Sequence, residues 1–170
     1  MNQNQIKKEF QIFKLVAKEA IEDHWYGNSI HISLILHEAL NKNNITNKIE
    51  TGYIYVDFRD TKFYSWHSWI EIENRKYDIL TYITNSIFPE HKLAKRKLSK
   101  ELLPGYELLE EGDITNIISK NIESLKIYNE NPVKYWDTDV STSLKMKLNF
   151  KKTKKLKDKI LKNKKISEFS

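Results

Sequence analysis

The chain contains no cysteine at all among its 170 residues, and only 4 glycines and 3 prolines. Without cysteine there is no disulfide framework and no thiolate zinc site, and, taken at face value, no thiol nucleophile. Four scattered glycines leave no room for a glycine-rich phosphate loop. No apolar run approaches the 18 or so residues of a membrane span, and the opening "MNQNQIKKEFQIF" lacks the hydrophobic stretch of a secretory signal. A cytoplasmic protein without a transmembrane segment is therefore expected.

What is present is enough to fold. Apolar residues make up 39% of the chain, and 4 Trp, 9 Tyr and 7 Phe supply large core formers, so wholesale disorder is excluded. The length suits one domain with a sizeable core. The net charge of +6 is uneven. Residues 141–170 hold 11 Lys against Asp158 and Glu168, so of 29 basic and 23 acidic residues the first 140 keep 18 and 21. Basicity is thus a property of the tail, and the body is mildly acidic.

Periodicity predicts a helix from Asn4 to about Glu22, with Ile6, Phe10, Phe13, Ala17 and Ile21 on one stripe, and a second from about Ile30 to Asn43. Ser29 stands where it can cap that second helix. Three strands rich in β-branched and aromatic residues follow: "GYIYVDF" from Gly52, "FYSWHSWIEI" from Phe63 and "YDILTYI" from Tyr77. Loops with a short helix are expected from Pro89 to Gly112, and another helix from Ile114 to about Tyr128. The alternation in "SLKMKLNFK" reads as a half-buried strand, and the last 20 residues as a frayed helix or a mobile tail. This gives an α+β fold: N-terminal helices on an antiparallel sheet across residues 1–140, then a lysine-rich extension over 141–170.

The residues that carry chemistry lie between Gly27 and Tyr82. A hydroxyl at a helix N-terminus, here Ser29 after Gly27-Asn28, sits where free N–H groups and the helix dipole stabilise negative charge and can form an oxyanion hole. His67 on a neighbouring strand can take its proton, and Asp78 one strand further can orient the imidazole. If Glu73-Asn74 form a two-residue turn, Trp69 lies opposite Asp78, which makes His67 and Asp78 diagonal neighbours on one face, roughly 7–8 Å apart at the backbone.

These residues resemble the transglutaminase-like (papain-like) cysteine protease superfamily. Gly27, Ser29 at the Cys position, Leu40, Ile45, Gly52, Tyr53, then His67, Trp69 and Glu71 in "HSWIEI" and Asp78 in "KYDIL" follow the order and spacing of that family's pattern over residues 20–85. Asn44 stands where the family has a turn glycine, a mild departure because Asn tolerates the left-handed conformation. The serious departure is Ser29. The resemblance implies a papain-like core and a nucleophile–His–Asp triad acting on a protein, peptide or amide substrate, by hydrolysis or acyl transfer, with no cofactor. Three readings of Ser29 stay open: a natural Ser–His–Asp enzyme, a catalytically inactive module that binds a protein or nucleic-acid partner with help from its basic tail, and a chain whose cysteine has been replaced.

Set against these are plainer roles. Ser29 is a good helix cap, His67 can serve as a hydrogen-bonded core residue, and Trp25 and Tyr26 either line a cleft or pack in the core. His31 and His37, six apart, do not share a helix face, and no His-x-x-x-His pair exists, so no metal site is expected. The lysine tail is a solvated face or a contact for an acidic partner or nucleic acid; it offers too few aromatic groups for base stacking.

Overall fold

The computed structural model describes residues 3–25, 29–59, 61–101 and 144–167. In chain order these form α1 (Gln3–Glu22), α2 (Ser29–Asn41), β1 (Lys48–Phe58), β2 (Thr61–Ile72), β3 (Arg75–Tyr77), α3 (Ile79–Ile87), a 3-10 turn (Pro89–Leu93), β4 (Lys95–Ser99), α4 (Leu144–Lys162) and α5 (Lys164–Ser167). The fold is mixed α+β, with a four-stranded antiparallel sheet in the order β3-β2-β1-β4. The expected Gly27, Asn28 and Tyr26, and the helix from Ile114, lie outside the described residues.

The core forms around α2, where Ile30, Ile32, Leu34, Ile35, Leu36, Ala39 and Leu40 are all buried. A helix apolar nearly all round must be covered nearly all round. It is enclosed by α1, α3 and α4 and by β2, which contributes Ile70 and Ile72 to the same core. α2 ends in a turn in which Asn44 takes the left-handed φ of 58° and the Ile45 N–H reaches back to Leu40 O. That is the conformation Asn accepts at a helix C-terminus.

α1 is a helix as expected, but its buried face is turned from the predicted stripe. Ile12, Phe13, Val16, Ala17 and Ala20 are buried, whereas Phe10 is 44% exposed. The cause is Glu9, fully buried. Its carboxylate takes two contacts from Arg75 Nη2, at 2.9 and 3.1 Å, and one from the Tyr77 hydroxyl at 2.7 Å. A charge so placed is tolerated only because its oxygens are met by charge-assisted partners. This network ties α1 to β3.

The sheet curls. Lys76 on β3 donates from Nζ to Leu98 O on β4 at 3.3 Å. A lysine side chain reaches roughly 6 Å, whereas three flat interstrand spacings would be about 14 Å, so the outer strands must bend toward each other. Trp69, fully buried, lies on the concave face with the Lys76 ammonium 5.5 Å from its ring centroid. Gly52, paired with His67, is pressed from the other side. A Cβ there would lie 2.3 Å from Ser99 O and 2.9 Å from Lys100 Cα.

Three expectations are corrected. "YDILTYI" is a strand only to Tyr77; Asp78 caps a helix in which Ile79 and Ile83, one turn apart, are buried. "KRKLS", read as loop, is edge strand β4, whose lysines disguise it and also protect an exposed edge from foreign pairing. "SLKMKLNFK" is no strand: α4 is helical from Leu144. Of the two readings of the last 20 residues, the helix is found, and it is docked. Leu156 and Ile160 pack into the main core, Trp25 Nε1 donates to buried Thr153 at 3.1 Å, and Lys157 and Lys159 pair with Glu38 and with Glu19 and Asp23.

Replacing Gly52 with Ala should force β4 away from β1 and cost about 1–3 kcal/mol, read as a lower midpoint in chemical denaturation; an unchanged midpoint would show that the β1–β4 approach is not tight in solution.

Candidate active site

The short length of β3 creates the site. Main-chain groups of alternate residues in β2 face β3, and Ile70 and Ile72 stand in register with Tyr77 and Arg75. Ser68, two residues earlier, faces the same side. Its partner would be residue 79, but there the chain has already turned into α3. The N–H and C=O of Ser68 are therefore left open in a buried place, which is costly unless they are met.

They are met by α2. Ser29 Oγ accepts from the Ser68 N–H at 3.0 Å, and Ser33 Oγ donates to Ser68 O at 3.2 Å. Residues four apart on a helix share a face, so the pair of serines acts as a substitute strand partner. Ser29 is the first residue of α2 and only 6% exposed. Because its oxygen accepts from Ser68, its own O–H remains to be donated elsewhere. Ser33 was not expected at all: a serine inside an apolar helix has no sequence signal beyond its spacing from Ser29.

His67 and Asp78 are brought together. The turn at Glu73-Asn74, with Glu73 at φ 53°, sets the register Ile72↔Arg75 and Ile70↔Tyr77. His67 Nε2 lies 2.9 Å from Asp78 Oδ1, its N–H direction off the line to the oxygen, with the two side chains 6% and 14% exposed. Asp78 is held on its other side by the fold, as the N-cap of α3: Oδ1 also accepts from the Thr81 N–H at 3.0 Å. Burial by itself would push the Asp78 carboxyl up, but contact with the His67 imidazole and the Thr81 N–H outweighs it and holds the carboxyl below its ordinary value.

Nε2 is the imidazole nitrogen turned toward Asp78, and Nδ1 has no hydrogen-bond partner among the described residues. Ser29 is anchored to the main chain of Ser68, the residue next to His67 in β2. Trp25, by contrast, is core: 4% exposed and bonded to Thr153. Near the site, burial holds His31 down to about 4, so it is neutral at pH 7. On the concave face beyond Trp69, Lys48 and Lys100 each contact both Glu50 and Glu71, at 2.6–3.9 Å. An open depression of about 880 Å³ lies elsewhere, lined by Asn4, Lys8, Asn43, Ile45 and Glu73 among others.

Among the described residues no group of three His, Cys, Asp or Glu side chains could hold a metal, and no helix is long and apolar enough to cross a membrane. No family model, curated protein or solved structure matches the chain.

Since the Asp78 value is lowered on folding, the stability it lends is present above the ordinary carboxylate value of about 3.9 and is lost as pH falls through the lowered one. Asp78→Asn keeps a competent cap and removes the charge, so it should be less stable than the parent at neutral pH and lose less on acidification. Asp78→Ala should cost about 1 kcal/mol more, for the cap. Denaturant unfolding at a series of pH values measures both; equal pH dependence in parent and Asp78→Asn would show that the carboxylate carries no folding-linked charge.

Proposed function

We propose that the chain is a transglutaminase-like domain with a papain-like core, built to catalyse acyl transfer or hydrolysis at an amide or peptide bond. The observation that carries this is the half-enclosed His67–Asp78 contact beside the helix terminus that bears Ser29. It joins to the resemblance of Ser29, Gly52, His67, Trp69, Glu71 and Asp78 to that superfamily's pattern.

In this reading, Nδ1 of His67 takes the Ser29 hydroxyl proton as Oγ attacks the substrate carbonyl carbon. The carbonyl π electrons move to oxygen, and the backbone N–H of residue 29, at the positive end of α2, helps to hold the oxyanion. On collapse the C–N bond breaks, and His67 returns the proton to the departing amine. Water or a second amine then attacks the acyl group, and its proton passes through His67 back to Oγ. Asp78 stabilises the imidazolium in both halves and keeps the ring in place.

A serine is a weak nucleophile where a thiolate would serve, which makes Ser29→Cys the informative variant. Its thiol should react with a neutral alkylating agent near neutral pH about tenfold or more faster than a free thiol, because the helix terminus and His67 favour the thiolate. His67→Ala in the same background should abolish the excess. A Ser29→Cys thiol that reacts no faster than an unstructured one would remove the triad.

A second reading rests on α4. Its docking leaves the side chains of Lys151, Lys152, Lys155 and Lys162, with Lys165 on α5, exposed and without partners among the described residues. In an inactive domain this face would hold an acidic partner or the phosphates of nucleic acid, through charge alone. Binding of duplex DNA should then weaken steeply with added salt, and replacing Lys151, Lys152 and Lys155 with Gln should flatten that slope by about 1 for each phosphate no longer neutralised. Fluorescence anisotropy across a salt series checks it, and salt-independent binding or no binding would dispose of the nucleic-acid form of this reading.

A further inference from the structure

Asp78 uses one oxygen for two contacts. Oδ1 meets both His67 and the Thr81 N–H, and the Thr81 side chain adds a further hydrogen bond to the carboxyl, all from one side of it. A carboxylate can accept about four hydrogen bonds, and one largely removed from water gains by filling them. On β4, Arg96 presents the opposite deficit. It is a half-buried guanidinium with no hydrogen bond or ion pair among the described residues, so part of its donor capacity is turned from water without a partner.

The curl of the sheet brings the two deficits together. Arg96 pairs with Val56 on β1, and Val56 lies on the same face as Gly52, the partner of His67. β3 and β4 face each other across the curl in antiparallel sense, joined by Lys76 Nζ to Leu98 O. Two residues on from Lys76 is Asp78; two residues back from Leu98 is Arg96. Asp78 is accordingly the charge felt by Arg96, favouring the guanidinium cation while burial, the larger effect, acts against it.

We propose that Arg96 is a positioning residue for the His67–Asp78 pair: rotation of its long side chain brings the guanidinium to Asp78 Oδ2, holding the carboxylate ionised and turned so that Oδ1 stays on His67. The name given to the pair rests on the acyl-transfer reading, but the contact itself does not. Among the described residues, the other charged groups on the elements packed around Asp78 are already engaged or uncharged. On the concave face Lys48, Glu50, Glu71 and Lys100 bond to one another, and Lys76 is on Leu98 O and Trp69. From α1, Glu9 is taken by Arg75 and Tyr77, and from α2, His31 is neutral at pH 7.

The test is a carbon- and nitrogen-detected NMR titration of Asp78 and His67 in the full chain, for the parent, Arg96→Gln and Arg96→Lys. Arg96→Gln should move the Asp78 midpoint up by about one pH unit, and Arg96→Lys should restore most of the parent value. A role confined to packing would change the melting temperature while leaving the Asp78 midpoint in place, and that result overturns the proposal. So does an Arg96→Lys protein that titrates like Arg96→Gln, since charge would then not be the cause. If Arg96→Gln does not fold, the Lys variant and Arg96→Met carry the same comparison. Slow alkylation of the Ser29→Cys thiol alongside a shifted Asp78 would count against acyl transfer and leave the role of Arg96 standing.

Discussion

Two main-chain groups of one residue organise this molecule. Ser68 sits where β3 has left β2, and its N–H and C=O would be buried without partners if α2 did not present Ser29 and Ser33 to them. Unmet, each would cost about 1–3 kcal/mol; met, they set the height and rotation of α2 against the sheet. The helix terminus is therefore placed beside His67 by backbone satisfaction, independently of any chemistry. The same early departure of the chain from β3 puts Asp78 at the start of α3, where the cap and the imidazole share Oδ1.

Around this joint, charge serves the architecture as much as the surface. Glu9 with Arg75 and Tyr77 locks α1 to β3, and Lys157 and Lys159 lock α4 to α2 and α1. Part of the basic tail is thus neutralised by the acidic residues of the body. The lysines left over lie on the outer face of α4, set apart from Leu156 and Ile160, which anchor the helix in the core.

Much of this was legible in advance. The two leading helices, the pairing of β2 with β3 through the Glu73-Asn74 turn, and the left-handed Asn44 follow from short-range rules of periodicity and turn chemistry. The approach of His67 to Asp78 was readable because only two turn residues separate their strands. The misreadings share a cause. Leu144, Met146 and Leu148 alternate like a strand, yet Thr153, Leu156 and Ile160 at helical spacing decide the segment by finding a core to fill. "ILTYITNSI" is composed like a strand, and a single capping carboxylate with Ile79 and Ile83 on one face makes it a helix. β4 has too little apolar alternation to show itself, because an edge strand needs little.

By itself the sequence determined the α+β class, the order of its first elements, and the placing of Ser29 at a helix start and of His67 and Asp78 on either side of a two-residue turn, since these depend on residues near one another in the chain. Only the tertiary structure decided what each of them touches. That Ser33 joins Ser29 on Ser68, that Glu9 is buried and that the tail docks all depend on the curl of the sheet and the closure of the core. Those are settled by which distant groups can fill each other's unmet hydrogen bonds and apolar surface, and no local pattern records that.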